Sequence, residues 1–469
     1  MVIDDLSRLF VSLGLLLISF AASGSSSLEQ GGDAALRPSA EPGFEFASAF
    51  DFKSEWLWNP TLGEQPLDDW RVFEEEIQLG LSYRRGDFLI FGEIKGIADQ
   101  AVYADDRPGG SEEALERGEM WLLFNRVLDG NYSLQIGRQN FLDPRLWWWD
   151  ADLDAVRFYY DHPPWRFYVG VAKALGRVST NEDFIDPEDQ DLQRLLGHAG
   201  WKVSNQLHLA GFLLAQRDRS DAPAIGQLVE EGHQDDSDAD LLWAGLRAAG
   251  VVDESPAGHL EYRADIAFLT GDETLTAFEE EAPGFSQVDQ TQKRKVRGWA
   301  TDVGVTWTLP LPGDPSVTLV YAYGSGDNNP DDHTDRAFRQ TGLQDQDEEF
   351  RDYGVVLRPE LSNLRIATLM LGLPLSTDAR LTLGYHHFRQ VDAASFLRNT
   401  GIDAEPTAES REIGKEISLV LQIQKWENLE MEMKQFSVSR VRANVSSPAT
   451  SHRSIRASKK TNFTSLESV

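Results

Sequence analysis

With 469 residues the chain is long enough for one large barrel or for two or three ordinary domains, and no break in composition divides residues 45–436. A formal net charge of −32 excludes the basic footprint that nucleic-acid binding needs. The absence of cysteine excludes disulfides and thiolate chemistry, and suits a cell-envelope protein that never relies on oxidation.

Residues 10–22 (FVSLGLLLISFAA) form an apolar run followed by Ser23, Gly24 and Ser25. This predicts a secretory signal over 1–24, although Asp4 and Asp5 outweigh Arg8 in its first part. A single N-terminal anchor helix is the other reading, but the run is short for a membrane span. Residues 25–44 read as a flexible mature N-terminus. No later segment approaches a helical span. An exported chain of this kind enters a membrane only as a closed barrel, because lipid satisfies no backbone hydrogen bonds.

From residue 45 onward, period-two alternation recurs. The candidate strands are 87–98, 119–127, 131–138, 165–173, 205–214, 241–247, 260–271, 299–308, 316–323, 366–373, 381–388, 417–424 and 429–434. In 260–271, Leu260, Tyr262, Ala264, Ile266 and Phe268 share one face, opposite Glu261, Arg263 and Asp265. In 299–308, Trp299, Thr301, Val303, Val305 and Trp307 oppose Asp302 and its small neighbours. A soluble sandwich or solenoid also alternates. Repeated ionisable groups on the second face favour lipid on one side and a wet lumen on the other. Thirteen Trp, twenty-four Phe and eleven Tyr allow aromatic girdles at both interfaces. The fold expected is all-β: a transmembrane antiparallel β-barrel over 45–436, with short periplasmic turns and long acidic loops.

The stretches 182–191, 230–240, 272–281, 327–335 and 345–349 are acidic and weakly apolar, and read as solvated loops. Clustered carboxylates suit calcium. Asp327, Asp331 and Asp335 lack an EF-hand frame, however, and no metal site is expected. His386 and His387 have no partner at metal-ligand spacing and read as ordinary polar residues.

The sharpest constellation is 136–160 (IGRQNFLDPRLWWWDADLDAVRFYY), where Arg138, Arg145 and Arg157 lie close to Asp150, Asp152 and Asp154 around Trp147, Trp148 and Trp149. Downstream come FRQTGL (338–343), RPELSNLR (358–365), LGYHHFRQVD (383–392) and REIGKEISLVL (411–421). Their common order over about 50–436 resembles the alginate export porin family, though each block alone is modest in specificity. The resemblance implies an outer-membrane barrel of about eighteen strands that passes a polyanionic polysaccharide by diffusion. Arginines would lower the entry barrier for a uronate polymer, since the guanidinium fork holds carboxylates and stays charged. Binding at each position must stay weak for the polymer to move.

Carried over by motif, Arg358 matches a lumen-facing basic position and Arg138 the arginine of the GRQ block. Asp150 matches the acid that closes the Trp segment. Arg351 lies near a second basic position at unequal spacing. Where the family has a further basic residue this chain has Asn140, and Gly118 precedes Glu119 with Arg117 one step off. These departures dilute the positive constriction. The expected pore lining is Arg138, Arg145, Asp150, Asp154, Arg157, Arg351 and Arg358.

Each residue also has a plainer reading. Arg138 shares parity with Leu134 and Ile136 and faces lipid unless a bulge intervenes. Arg358, before Pro359, suits a loop end. Arg157 with Asp154, like Glu93, Lys95, Glu261, Arg263, Asp265 and Asp302, suits interior salt bridges. The three tryptophans suit an interface belt better than a sugar platform.

Asp150, Asp152 and Asp154 raise a glycosidase reading, but hydrolysis needs two carboxylates flanking one bond and nothing marks such a pair. The expectation is therefore no enzyme and no cofactor, with a general porin for small or oligosaccharide solutes as the alternative function. Expected partners are an anionic polysaccharide, the lipid bilayer and lipopolysaccharide, the outer-membrane assembly machinery and periplasmic export proteins. Residues 437–469 turn Ser-rich and basic and read as a disordered tail in place of a closing strand, as a shifted reading frame would produce.

Overall fold

A computed structural model describes residues 17–23, 42–57, 69–103 and 108–440, apart from short gaps at 129, 219, 221–222, 231, 331, 345–350, 403, 405, 407 and 427–428. The strands are β1 Leu17–Ser23, β2 Gly43–Leu57, β3 Trp70–Arg85, β4 Phe88–Tyr103, β5 Pro108–Val127, β6 Tyr132–Leu142 and β7 Asp150–His162. Then follow β8 Trp165–Lys173, β9 Gln193–Lys202, β10 His208–Arg217, β11 Leu228–Glu230, β12 Ser237–Ser255, β13 Gly258–Ala282 and β14 Phe285–Thr308. The last are β15 Ser316–Gly324, β16 Thr334–Asp335, β17 Leu364–Ser376, β18 Ala379–Gln390, β19 Glu412–Trp426 and β20 Leu429–Arg440.

Each long strand pairs antiparallel with its neighbours, and β1 pairs with both β2 and β20, so the ladder returns on itself. The three-residue β11 and two-residue β16 only ride on β14. Among the described residues, the other eighteen of these twenty strands follow one another in an order that closes through β1.

Alternation decides which side chains meet lipid. On β14 Trp299 and Trp307 are each 42% exposed, while Asp302 between them is fully buried on the inner face. The eight-residue step from Trp299 to Trp307 covers about 25 Å along a strand, the scale of an outer-membrane apolar band. On β13, Phe268 and Ile266 face out and Asp265 faces in. Short turns join β3 to β4, β7 to β8, β12 to β13 and β17 to β18 at one end of the barrel. Segments 143–149, 174–192, 218–236, 325–363 and 391–411 lie at the opposite end.

Three of those segments, 143–149, 325–363 and 391–411, contribute Trp147–Trp149, Phe338, Leu343, Tyr353, Val355–Leu357, Leu361 and Ile402 to one buried cluster with the inner faces of β10, β12–β14 and β17–β19. Much of the lumen on that side is therefore packed core rather than open water.

Several expectations change. Residues 272–281 are strand, not loop: β13 and β14 stay paired from His259–Thr308 to Ala282–Phe285, and β13 extends well beyond Phe268 with charges on both faces. The tryptophans are no interface belt, being 2%, 1% and 0% exposed inside the barrel. Leu17–Ser23, within the segment read as a signal, is instead the strand between β2 and β20. β20 runs to Arg440, four residues into the segment read as a tail. The rest of that tail, most of 1–44 and the acidic stretch 345–349 lie outside the described residues.

Candidate functional site in the barrel lumen

The 143–149 loop is built on Asp143. Its carboxylate accepts the backbone N–H groups of Arg145 (3.3 Å), Trp147 (3.2 Å) and Trp148 (3.1 Å), curling the chain into a tight inward finger. Arg247 on β12 clamps the same carboxylate from the wall, with Nη–O distances of 2.5 and 2.8 Å. Trp148 stacks on Phe212 of β10 at 4.8 Å between ring centroids. The wall leaves room for it at Gly245, where a Cβ would come within 2.2 Å of the indole.

Arg145, beside the finger's tip, enters a knot of wall and loop acids. It donates to Asp265 of β13 (2.6 Å), Asp302 of β14 and Asp352 of the 325–363 segment (3.0 Å). Arg263 donates to Asp352 at 2.5 Å, and Arg247 also reaches Asp265 at 2.7 Å. Tyr353 donates its hydroxyl to Asp302 (2.8 Å) while accepting from Trp147 Nε1 (2.7 Å). Three arginines thus face four carboxylates. Buried ions are tolerable only in such a matched, hydrogen-bonded set.

Two further contacts fix the inserted segments. Arg339 holds Glu273 of β13 at 2.6 and 2.9 Å, and Arg294 holds the same carboxylate at 2.5 Å. Glu416 of β19 accepts the backbone N–H groups of Val355 (2.6 Å), Val356 (3.3 Å) and Leu357 (3.2 Å). The motif blocks meet here. Phe338 stacks with Trp147 at 6.3 Å, Thr341 Oγ1 donates to the Trp148 carbonyl, and Asp150 N donates to the Leu343 carbonyl at 2.6 Å. Gln340 bonds Trp147, Glu360 and Leu361, joining FRQTGL to the ELSNL block. These blocks seat the inserted segments on one another and on the wall.

The seven expected pore residues fare differently. Arg145 is consumed in the acid knot. Arg157 is buried beneath aromatics, its guanidinium 4.2 Å from the Phe141 ring centroid and 4.7 Å from that of Tyr159. It does not pair with Asp154, which takes both Nη groups of Arg117 at 3.0 and 2.9 Å. Asp150 accepts from Asn140 at 2.9 Å. Arg138 sits where β6 leaves β5: Gly137 adopts a φ of 128°, the β5–β6 ladder stops at Arg138, and Glu116 lies within electrostatic reach. Arg358 adopts a left-handed φ of 36° before Pro359 and acts on the charge of Glu55 of β2. Arg351 is half-buried beside Asp352. Sequence reading missed Asp143, Arg247, Asp352, Tyr353, Glu273, Arg339 and Glu416. It had paired Arg263, Asp265 and Asp302 with interior bridges, without their partners.

The inner face of β2–β5 is different. Asp51, Lys53, Glu74, Glu76, Glu93, Lys95, Asp99, Glu112 and Glu116 share it, so acids outnumber bases. Lys53 pairs with Glu74 at 2.8 Å, and Lys95 lies 3.9 Å from both Glu76 and Glu93.

The family model described as alginate export matches residues 102–442. The Alginate production protein AlgE of Pseudomonas aeruginosa is 27% identical over 304 residues, covering 61% of this chain and 59% of that protein. The AlgE of Azotobacter vinelandii is 28% identical over 305 residues, covering 61% of each. The chain thus matches about three fifths of the length of these relatives. Among solved structures, Pseudomonas aeruginosa OccK8 (OprE) aligns at 9% identity and TM-score 0.47, covering 92% of this chain and 98% of that one. OpdQ of the same organism gives 10% identity and TM-score 0.47 over 91% of this chain and 96% of that one. With the matched stretch running from the end of β4 through β20, the chain belongs to the alginate export family and is an outer-membrane β-barrel.

Proposed function

We propose that this barrel passes an anionic exopolysaccharide, an alginate-like polyuronate, outward by diffusion. The observation that carries the reading is the family match over 102–442, which contains the whole set of inserted segments. Arg138, Arg351 and Arg358 lie outside the knot formed by Asp265, Asp302 and Asp352, and are the arginines assigned to the polymer's carboxylates. Arg145 and Arg157 act as positioning residues that fix the inserted loops. Passage requires no covalent step and no cofactor. Periplasmic export proteins and the barrel assembly machinery are the proposed partners.

The acidic inner face of β2–β5 favours a second reading, a general porin for small or neutral oligosaccharide solutes, because like charges repel a polyanion. Ion selectivity of the refolded protein in a planar bilayer, with polymannuronate as blocker, separates the two. Anion preference with block supports polyuronate export. A conducting pore with neither property overturns it in favour of the general porin. Arg358→Glu is expected to lower anion preference; unchanged selectivity removes Arg358 from the conduction path.

A further inference from the structure

Among the described residues, the outer surface of the barrel over β14–β19 carries a basic band. At the long-loop end, Trp299 of β14 opposes Phe268 of β13, and its ring lies 4.8 Å from that of Tyr323 on β15. These aromatics end the apolar band, as girdle residues do. Immediately beyond Trp299, the same face of β14 presents Arg297, Lys295 and Lys293, all exposed. Two strands away Arg365 of β17 opposes Tyr323, its guanidinium 5.6 Å from that ring, with Arg389 next to it on β18. Lys415 of β19 continues the band opposite His387.

Several of these cations lack acid partners. Among the described residues, no hydrogen bond or ion pair engages the side chains of Lys295, Arg297 or Lys415, and Arg365 Nε is buried without a hydrogen-bond partner. The nearby acids are mostly taken: Glu412 by Arg389 (3.1 Å) and His387 (3.0 Å), and Asp392 by Arg411 (3.2 Å). Asp272, across from Lys295 on β13, is the exception. Between the strands lies a recess of about 510 Å³ lined by Phe268, Trp299, Tyr323, Arg297, Arg336 and Asp392.

Unpaired cations in a chain of net charge −32, at the depth just past the aromatic girdle, face the headgroups of the outer leaflet. Guanidinium groups hold phosphate oxygens bidentately, and the apolar strands below supply a surface for acyl chains. We propose that this face docks a phosphorylated, multiply acylated saccharide lipid of the lipid A type, with its phosphates on Arg297 and Arg365 and its acyl chains along Phe268, Trp299 and Tyr321. The site is independent of the cargo and rests only on the barrel's orientation in the outer membrane.

The test is native mass spectrometry of the full barrel in detergent, titrated in parallel with bisphosphorylated lipid A, its dephosphorylated form and phosphatidylglycerol. Wild type is expected to retain bisphosphorylated lipid A at least tenfold better than the other two. Arg297→Gln with Arg365→Gln is expected to erase that advantage while the heat-modifiable gel shift of the folded barrel is unchanged. Should the double variant fold poorly, Arg297→Gln alone, at an exposed position, is expected to cost several-fold in retention. Equal retention by wild type and a folded variant overturns the proposal. So does equal retention of the dephosphorylated lipid, or of phosphatidylglycerol, which would mean a general lipid surface only.

Discussion

The two sides of the lumen follow opposite electrostatic rules. Around β12–β14 and β17–β19, arginines and carboxylates are matched nearly one to one and sealed under inserted loops: Arg145 with Asp265, Asp302 and Asp352, and Arg339 with Glu273. Along β2–β5 the same kinds of side chain stand in excess of one sign. The first arrangement resists change because each ion is held by others in a dry interior, where an orphaned charge is costly. The second remains tunable, because screening by salt and water softens its repulsion. Fixed structure is concentrated on one wall and electrostatic adjustment on the other.

The largest test of this contrast is Arg145→Ala, which leaves three buried carboxylates short of a cation. A loss of about 3–5 kcal/mol is expected from breaking such a set, read as a lower midpoint of thermal unfolding by heat-modifiable mobility. A loss below about 1 kcal/mol, the value of a surface pair, would show that the knot is wet. Next is Gly245→Ala, where the new methyl meets Trp148. Overpacking of this kind costs about 1–3 kcal/mol, and unchanged stability would mean the finger is not seated against β12. On the other wall, Glu76→Gln with Glu116→Gln is expected to leave stability nearly unchanged and to shift the reversal potential toward anions. That shift should shrink at about 1 M salt, where the Debye length is about 3 Å. No shift at low salt would place these acids off the conduction path.

The smallest effect concerns the 218–236 segment, where Ser220 Oγ lies 2.6 Å from Asp218, 3.0 Å from Asp235 and 2.6 Å from Asp238. One hydroxyl hydrogen cannot serve three carboxylates. Burial first, and then the neighbouring acids, push Asp235 up to about 6, despite hydrogen bonds from Ser237 and Ser220 that oppose the shift. Because the folded value is raised, the stabilisation is complete below the ordinary carboxylate range and is lost as pH rises through about 6. Protection of 218–236 against hydrogen exchange, measured relative to the intrinsic exchange rate at each pH, should therefore rise on acidification from neutral pH to 5. Asp235→Asn is expected to flatten that dependence, and a variant with the wild-type profile assigns it elsewhere.

Much of the barrel was legible because a strand between lipid and lumen has only one way to alternate. Trp299 to Trp307 on one face and Asp302 on the other could be read without knowing any neighbour. The ends of strands were harder. Beyond the girdle the outer face of β13 is wet while its inner face holds the buried, ion-paired Glu273, so residues 272–281 carry charges on each side and read as loop. The site was legible only in pieces. Arg145 meets its partners 120, 157 and 207 residues away in sequence, and no local pattern says which wall strand an inward loop will touch. Asp143 offered a clue in retrospect: an acid just before Pro-Arg-Leu-Trp suits a turn whose carboxylate caps following N–H groups. A run of three tryptophans carries no signal for depth, so a belt at the membrane edge and a plug in the middle look alike. Residues 10–22 were ambiguous for a related reason, since a short apolar run satisfies an export signal and a membrane strand equally well.

Gly245 has a consequence for how such a barrel diversifies. The wall is missing a side chain at the very point where the Trp148 ring of the finger needs space, so neither partner can vary alone. A larger residue at 245 requires a smaller one at 148 and must also clear the backbone carbonyl of Ile266, 2.6 Å from its Cβ, and the reverse exchange leaves a hole. Descendants of this chain are therefore free to rewrite the β2–β5 wall one position at a time, whereas the finger and β12 are inherited together, like a key and the lock cut for it.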